Sequence, residues 1–220
     1  MKHITGPRDM RFWIAIGSLV AAAVAFAIIA DAVSDNAPIL KQDLQVSVWL
    51  HTHNSAVFTA FLYAITQLHS PVGMTIMAVL LGIVLYRQGH HYWTLSLALA
   101  VPGGMLVNTA IKYIFNRQRP SWDDPLFTLT SASFPSGHTA GATLFYGFIA
   151  AYMVWNTKKP WAQAVIVVGC TFMVALVGFS RIYLGVHYLS DVLAAMSVSI
   201  VWLVICLIGV RGLAHRRGAA

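Results

Sequence analysis

Charged residues are scarce in this 220-residue chain. Only 10% of the residues are charged, 58% are hydrophobic, and the mean hydropathy is +0.71. The seven acidic residues are all aspartates, and glutamate is absent. A soluble domain of this size could not cover its surface with so few charges. The composition therefore predicts an integral membrane protein, in which any acid–base or metal chemistry relies on very few carboxylates.

Cysteine is also rare, and nothing in the sequence separates one domain from another. Cys170 and Cys206 both lie inside apolar runs, which predicts packing residues and excludes a disulfide framework. No repeat, low-complexity tract or linker divides the chain, so one domain is expected over residues 1–220. The net charge of +7 comes from basic residues scattered between the apolar runs. Membrane topology and anionic lipid explain this scatter better than nucleic acid does.

Long apolar runs are what the sequence has in abundance. A helix that crosses a bilayer needs about 20 apolar residues. The runs cover residues 12–32, 55–86, 92–111, 139–155, 161–179 and 188–210. They predict an all-α fold, an integral membrane bundle of six transmembrane helices. The mixed segment 34–54, with Lys41, Asp43, Val46, Trp49 and Leu50 at helical spacing, predicts an amphipathic helix in the membrane interface.

Two details bear on the topology. Ala30-Asp31-Ala32 resembles a signal-peptidase site, but the apolar run before it is long, which favours an uncleaved anchor over cleavage. His69-Ser70-Pro71 interrupts the segment 55–86, which then either crosses once, crosses twice or is partly re-entrant. A single crossing leaves most basic residues inside, whereas two crossings divide them evenly, so the positive-inside rule favours one crossing. Both termini are then cytoplasmic.

A short polar turn, Ser-Phe-Pro-Ser-Gly-His-Thr, stands between two apolar runs at residues 133–139. Pro135 disfavours helical geometry before it, and Ser136 is a good N-cap for a helix that follows. The first amides of that helix, with Gly137 and the side chain of His138, would form an anion site. The alternative is structural: Ser136 only caps, and Gly137 with Gly141 forms a small-residue pair for helix contact.

Three permanent cations lie in stretches that the six-span topology brings to the same outer face. Lys112 ends the third span, Arg119 follows it, and Arg181 ends the fifth span. Arginine forks, a lysine charge and helix-start amides together suit a phosphate better than a carboxylate. The alternatives are that Lys112 and Arg119 snorkel to the interface, and that Arg181 caps its own helix.

His187 and Asp191 are spaced i, i+4 at the start of the sixth span. At this spacing the carboxylate can hold Nδ1–H of the imidazole, which leaves the other nitrogen free as a nucleophile, and His138 can protonate a departing oxygen. A structural polar pair between helices is the alternative. His51 and His53 lack a third ligand in their segment, so they are interpreted as solvated residues rather than a metal site.

These stretches together resemble the signature of the type-2 phosphatidic acid phosphatase superfamily, and the spans resemble its membrane lipid phosphatase branch. In the first part of the match, six residues separate Lys112 from Arg119-Pro120, and the second part is Pro135-Ser136-Gly137-His138. In the third part, five residues separate Ser180-Arg181 from His187, and three more separate His187 from Asp191. The signature covers residues 112–191. The resemblance implies that His187 is phosphorylated, Asp191 orients it and His138 is the proton donor. It also implies that phosphate is held by Lys112, Arg119, Ser136, Gly137 and Arg181, without metal or cofactor.

The expected function is removal of a terminal phosphate from a lipid phosphate or pyrophosphate at the outer leaflet of the cytoplasmic membrane. Candidate substrates are undecaprenyl pyrophosphate, ranked first on the breadth of the family, phosphatidylglycerophosphate and phosphatidate. The short link 121–132 suggests an open pocket that accepts several of them. Two alternatives remain: a phosphotransferase of the same superfamily, and a non-catalytic lipid transporter that uses the cations as a binding site.

Overall fold

The chain folds into helices packed side by side around one central helix. The computed structural model describes residues 10–35, 38–122 and 130–216, and no strand occurs among them. The helices are α1 (Met10–Ser34), α2 (Ile39–Thr52), α3 (Ala56–Leu68), α4 (Pro71–Arg87), α5 (His91–Phe115), α6 (Gly137–Asn156), α7 (Pro160–Tyr183) and α8 (Leu189–Arg216). The expected all-α class is confirmed for this part of the chain.

The central helix is α6, which contacts α4, α5, α7 and α8. Its first half is buried on every side, from Thr139 to Phe145. One apolar cluster joins α6 to α4, α5 and α8, and it includes Leu144, Phe148 and Cys206. Cys206 therefore packs in the core as expected, while Cys170 is half-buried on α7. A helix that is apolar all round suits the middle of a bundle, since no face of it meets water.

Among the described residues, four helices are long and apolar enough to cross a membrane: α1, α5, α7 and the part of α8 from Leu189 to Leu213. Helices α3 and α4 are long and apolar enough only if the bent pair forms one span, which would make five. The protein is therefore a multi-pass membrane protein. The shorter α6 is not among the four, so the expected number of six spans is not confirmed and stays a prediction.

The interruption in segment 55–86 separates two helices that are bent by 51°. Ser70 caps α4, since its hydroxyl accepts a hydrogen bond from the Gly73 amide at 3.2 Å, and Pro71 takes the first helical position, where its missing N–H costs nothing. His69 at the break is fully buried, with its Nε2 2.8 Å from the hydroxyl of Tyr146. The pair is one bent span or a re-entrant segment, so the single crossing stays a prediction.

Helix α2 forms where an amphipathic helix was expected, but its buried face is unexpected. Asp43, Ser47 and Leu50 point into the protein, while Trp49 is exposed. An aspartate can occupy the buried side here because it is fully paired with groups from the loop after α5 and from α8. The position of α2 in the membrane interface is not confirmed and stays a prediction.

Some expectations concern residues outside the described ranges. The basic residues Lys2, Arg8 and Arg217, which support the cytoplasmic termini, lie there, as does most of the link 121–132 on which the open pocket depends. These expectations remain predictions.

Candidate active site

Three segments meet at one end of the bundle: the loop after α5, the turn before α6, and the link from α7 to α8. Hydrogen bonds between backbones join them, since the Ser133 amide donates to Arg117 O at 2.8 Å and the Ser136 amide donates to Asp191 O at 3.1 Å. The structure thus brings together the three stretches that the sequence places on one face. Buried backbone donors and acceptors need partners, and these bonds satisfy them across the segments.

The turn before α6 leaves its polar groups available. Ser136 takes the N-cap position of α6, as expected, but its hydroxyl caps no backbone amide. It accepts a hydrogen bond from the Thr139 hydroxyl at 3.0 Å, which leaves its own proton free to be donated. The first intrahelical bond runs from Ala140 N to Ser136 O, so the amides of residues 137–139 precede the helical pattern and carry its positive end.

Gly137 and Gly141 differ in their surroundings, which decides between two interpretations of Gly137. A Cβ added at Gly141 would lie 3.3 Å from Met74 Cγ, so this glycine packs tightly against α4. At Gly137 the nearest atom would be Asn108 Oδ1 at 3.8 Å, which is ordinary contact. Gly137 is therefore not needed for close helix packing, and the space beside it can admit a ligand.

His187 lies between a cation and a carboxylate, and it is only 2% exposed. Its Nε2 is 3.1 Å from Arg119 Nη1, and its Nδ1 is 3.3 Å from Asp191 Oδ2. A guanidinium can only donate, so Nε2 accepts and the proton resides on Nδ1, directed at Asp191. Burial lowers the pKa of His187 to about 3, against the opposing effect of Asp191. The imidazole is therefore neutral near pH 7, with a lone pair on Nε2.

The tight link 184–188 sets the position of His187. Gly185 has φ of +69°, a conformation that other residues rarely adopt. The indole Nε1 of Trp122 donates to Gly185 O at 2.9 Å, and a Cβ at Gly185 would come within 2.6 Å of that nitrogen. Trp122 in turn stacks on His51, with ring centroids 4.1 Å apart. His51, interpreted from the sequence as solvated, is half-buried and supports this link.

Asp191 is completely buried, and four donors surround its carboxylate. Oδ2 accepts from the Ser133 hydroxyl at 2.5 Å and from the Tyr188 amide at 2.9 Å, besides facing His187. Oδ1 accepts from Arg117 Nη1 at 2.7 Å. Such pairing keeps a buried carboxylate charged, since an isolated one would take up a proton. The charged form is the one that can hold Nδ1–H of His187.

Lys112 and Arg119 both turn into the protein. Lys112 Nζ donates to Ala132 O at 2.6 Å, and Arg119 Nη1 donates to Val186 O at 2.6 Å. Burial lowers the pKa of Arg119, partly offset by Asp191, which is the response of a cation removed from water. Snorkelling would extend these side chains away from the bundle. Their inward contacts rule out that alternative.

Arg181 and Asn108 contribute donors that no described residue satisfies. Arg181 Nη1 donates to the hydroxyl of Thr66 at 2.5 Å, so it does not cap its own helix as one alternative held, and its Nε has no partner among the described residues. Asn108 lies one turn before Lys112 and is 1% exposed, yet its Nδ2 is equally unpaired within the described chain. Buried unpaired donors are costly, so two of them beside three cations point to a bound anion.

His138 is the second residue of α6 and is half-buried. It directly follows Gly137 at the start of α6, which places it at the same end of the bundle as the other residues of the site. All eight residues singled out in the sequence therefore gather at this end of the bundle. Among the residues that the structure describes, no three histidine, cysteine, aspartate or glutamate side chains group as metal ligands.

The sequence interpretation missed several residues that support this site. Asp43, Ser133 and Ser190 are buried there, and Arg117 bonds two carboxylates. Arg117 could have been found from the sequence, because it is a charged residue only two positions before Arg119. Nothing in the sequence connects Asp43 with a helix almost 150 residues later.

The fold and the site together define a helical, multi-pass membrane protein with a buried histidine among cations and unpaired donors that suit an oxyanion. The model of the PAP2 superfamily matches residues 93–213, more than half of the chain, so the chain belongs to this superfamily. The expected resemblance is confirmed.

Two relatives and one solved structure that resemble this chain are phosphatases by name. The chain is 37% identical over 123 residues to phosphatidylglycerophosphatase B of Bacillus subtilis, a match that covers 54% of this chain and only 58% of that relative. It is 27% identical over 154 residues to undecaprenyl-diphosphatase BcrC of the same species, covering 68% and 74% of the two chains. The crystal structure of a transmembrane PAP2 type phosphatidylglycerolphosphate phosphatase from Bacillus subtilis matches with a TM-score of 0.77 and 26% identity, covering 90% and 96%.

Proposed function

We propose that the chain is a lipid phosphatase that removes a terminal phosphate from a lipid phosphate or pyrophosphate through phosphorylation of His187. The observation that carries this proposal is the arrangement of His187, whose Nε2 faces Arg119 while its Nδ1 faces Asp191. A neutral imidazole with a fixed tautomer is a nucleophile ready to attack phosphorus.

In the first step, the lone pair of Nε2 forms a bond to phosphorus, and the bond from phosphorus to the lipid oxygen breaks. His138, protonated beside the negative charge of the bound phosphate, supplies the proton that the departing oxygen takes and becomes neutral. The imidazole of His187 becomes positively charged as the phosphohistidine forms, and the carboxylate of Asp191 stabilises that charge through the Nδ1–H bond. In the second step, water gives a proton to His138 and attacks phosphorus, the P–N bond breaks, and inorganic phosphate leaves.

The phosphoryl oxygens are held by donors from every segment of the site. We assign this role to Lys112, Arg119, Arg181, the Ser136 hydroxyl and the Gly137 amide, and the unpaired Asn108 Nδ2 is available beside them. Phosphoryl transfer depends mainly on positioning and on stabilisation of charge. Three cations supply that charge, so we propose a reaction without metal or cofactor.

The membrane placement follows from the topology expected from the sequence. We propose one domain in the cytoplasmic membrane, with both termini inside, the site at the outer face and the lipid tail between helices. The substrate comes from within the bilayer. Phosphatidylglycerophosphate and undecaprenyl pyrophosphate head the list of candidates because matched relatives carry these activities in their names.

Phosphate release by the purified protein tests the proposal. The panel contains undecaprenyl pyrophosphate, phosphatidylglycerophosphate and phosphatidate in mixed micelles, and His187→Ala is the control. We expect phosphate release by the wild type, unaffected by EDTA, and an acid-labile, alkali-stable phosphoprotein after denaturation. Activity lost to a chelator and restored by zinc or magnesium would contradict the metal-free reaction.

Two further outcomes identify the rival functions. Free phosphate that declines when a second lipid acceptor is added, with phosphate recovered on that lipid, identifies a phosphotransferase. Lipid movement across vesicles that survives in His187→Ala, with no phosphate released by the wild type, identifies a transporter.

A further inference from the structure

Arg117 joins three buried groups that come from two different helices. Its Nη1 lies 2.7 Å from both Asp191 Oδ1 and Ser190 Oγ, and its Nη2 lies 2.9 Å from Asp43 Oδ2. The guanidinium also lies over the ring of Tyr188, 4.3 Å from the centroid. The planar fork of arginine reaches two carboxylates with two different nitrogens in a fixed geometry, whereas a lysine offers one point charge with rotatable donors.

Asp43 is held as completely as Asp191, although it belongs to α2 at the other end of the sequence. It is 2% exposed. Its Oδ1 accepts from the Ser190 amide at 2.9 Å, and its Oδ2 accepts from the Ser190 hydroxyl and from Arg117. Asp43 therefore fixes the start of α8 directly at Ser190 and fixes Arg117 from its other side.

The contacts of Arg117 divide the two oxygens of Asp191 between two tasks. Oδ1 is bonded to Arg117, so Oδ2 is the oxygen that faces Nδ1 of His187. Removing Arg117 would leave two buried carboxylates, Asp43 and Asp191, without the cation that they share. Buried like charges are strongly unfavourable, and the strain is relieved by neutralising one carboxylate or by turning it away.

We propose that Arg117 and Asp43 are positioning residues for the nucleophile: Asp43 holds Arg117, Arg117 holds Asp191, and Asp191 holds the proton on Nδ1 of His187. This inference rests on the proposed function of His187. The imidazole gains a positive charge when it is phosphorylated, and Asp191, held by Arg117 and Asp43, stabilises that charge. Arg117 and Asp43 therefore increase the rate of the chemical step and leave substrate binding unchanged. Arg117 thus differs from its neighbour Arg119, which faces the phosphate site.

The experiment is a double-variant cycle in the full-length protein with Arg117→Met, Asp43→Asn and both together. Arg117→Met is expected to lower kcat about 100-fold, as loss of a supporting contact commonly does, with KM almost unchanged. The double variant removes the shared cation together with one of the two carboxylates, so Asp191 no longer faces a second unpaired buried charge. Its kcat should therefore be at least about fivefold higher than that of Arg117→Met, which is the non-additive effect expected of coupled groups.

The outcomes separate this inference from its rivals. A double variant no more active than Arg117→Met, or a loss expressed mainly in KM, would overturn it. If Arg117→Met fails to fold, Arg117→Lys replaces it, with reduced kcat and unchanged KM expected; wild-type kcat in Arg117→Lys would refute the role of the fork. His187→Ala is measured in parallel, since full activity there would defeat the proposed function itself and not only this inference.

Discussion

The two ends of helices α5, α6 and α8 differ in what holds them together. At one end, charged and polar groups such as Lys112 and Asp191 are bonded across segments. Farther along the same helices, Leu97, Leu144 and Leu203 form an apolar cluster. The apolar part is stabilised by burial and close packing, whereas at the polar end buried donors such as Arg181 Nε and Asn108 Nδ2 have no partner among the described residues. The difference indicates that stability and chemistry are divided along the length of these helices.

The largest effect should come from removing the nucleophile at the polar end. His187→Ala is expected to lower kcat on the order of 10⁴-fold or more, because no other group can form the phosphorylated intermediate. His90→Gln is the matched control, since His90 pairs with the Tyr152 hydroxyl at the other end of α5 and should keep its activity. Equal losses of kcat in His187→Ala and His90→Gln would show that the two ends do not differ in their contribution to catalysis.

A change at the apolar part should have the opposite consequence. Leu144→Ala empties a fully buried position on α6 and is expected to lower the free energy of unfolding by about 2–5 kcal/mol. Unfolding in detergent micelles by a denaturant measures this loss. The kcat measured well below the melting temperature should stay near that of the wild type. A large fall in kcat of the folded variant would show that the core also controls the chemistry.

A smaller effect is expected at the border of the polar end. Asn108 lies next to Gly137, and its buried Nδ2 has no partner among the described residues. Asn108→Ala should lower kcat/KM about tenfold, the change expected when one hydrogen bond to a charged group is lost. Thr109→Ala, on the exposed side of the same helix, is the matched control. If Asn108→Ala is fully active but unstable, its amide serves helix contact instead.

The smallest expected effect is spectroscopic and concerns the protonation of His187. Because burial lowers its pKa to about 3, its ring resonances should not titrate between pH 5 and 8, whereas an unperturbed imidazole titrates near 6.5. Histidine NMR in micelles, assigned by loss of the signal in His187→Ala, checks this. In the unfolded state His187 takes up a proton near pH 6.5, whereas in the folded state it stays neutral until about pH 3. The free energy of unfolding therefore decreases as pH falls from about 6.5 towards 3. Titration of the ring near pH 6.5 would contradict the expected neutral nucleophile.

Much of the site could be predicted from the sequence because its residues occur in short polar stretches between apolar runs. In such a chain a polar group beside a span is costly unless it is paired or functional, so Lys112, His138 and Asp191 stand out. The grouping of the eight residues at one end agrees with that interpretation. The number of spans does not follow from the sequence in the same way, because α6 is short and the break at Ser70 separates α3 from α4.

Composition and local pattern alone thus determine that this chain is a helical membrane protein, roughly which segments form its helices, and which polar stretches stand out. The tertiary structure alone decides that Asp43 turns inward, that Arg117 joins it to Asp191, and that Gly137, unlike Gly141, is not packed tightly against another helix. These features depend on contacts between residues far apart in sequence. No local periodicity encodes such contacts, because the free energy of a buried charge depends on which partner the fold brings to it.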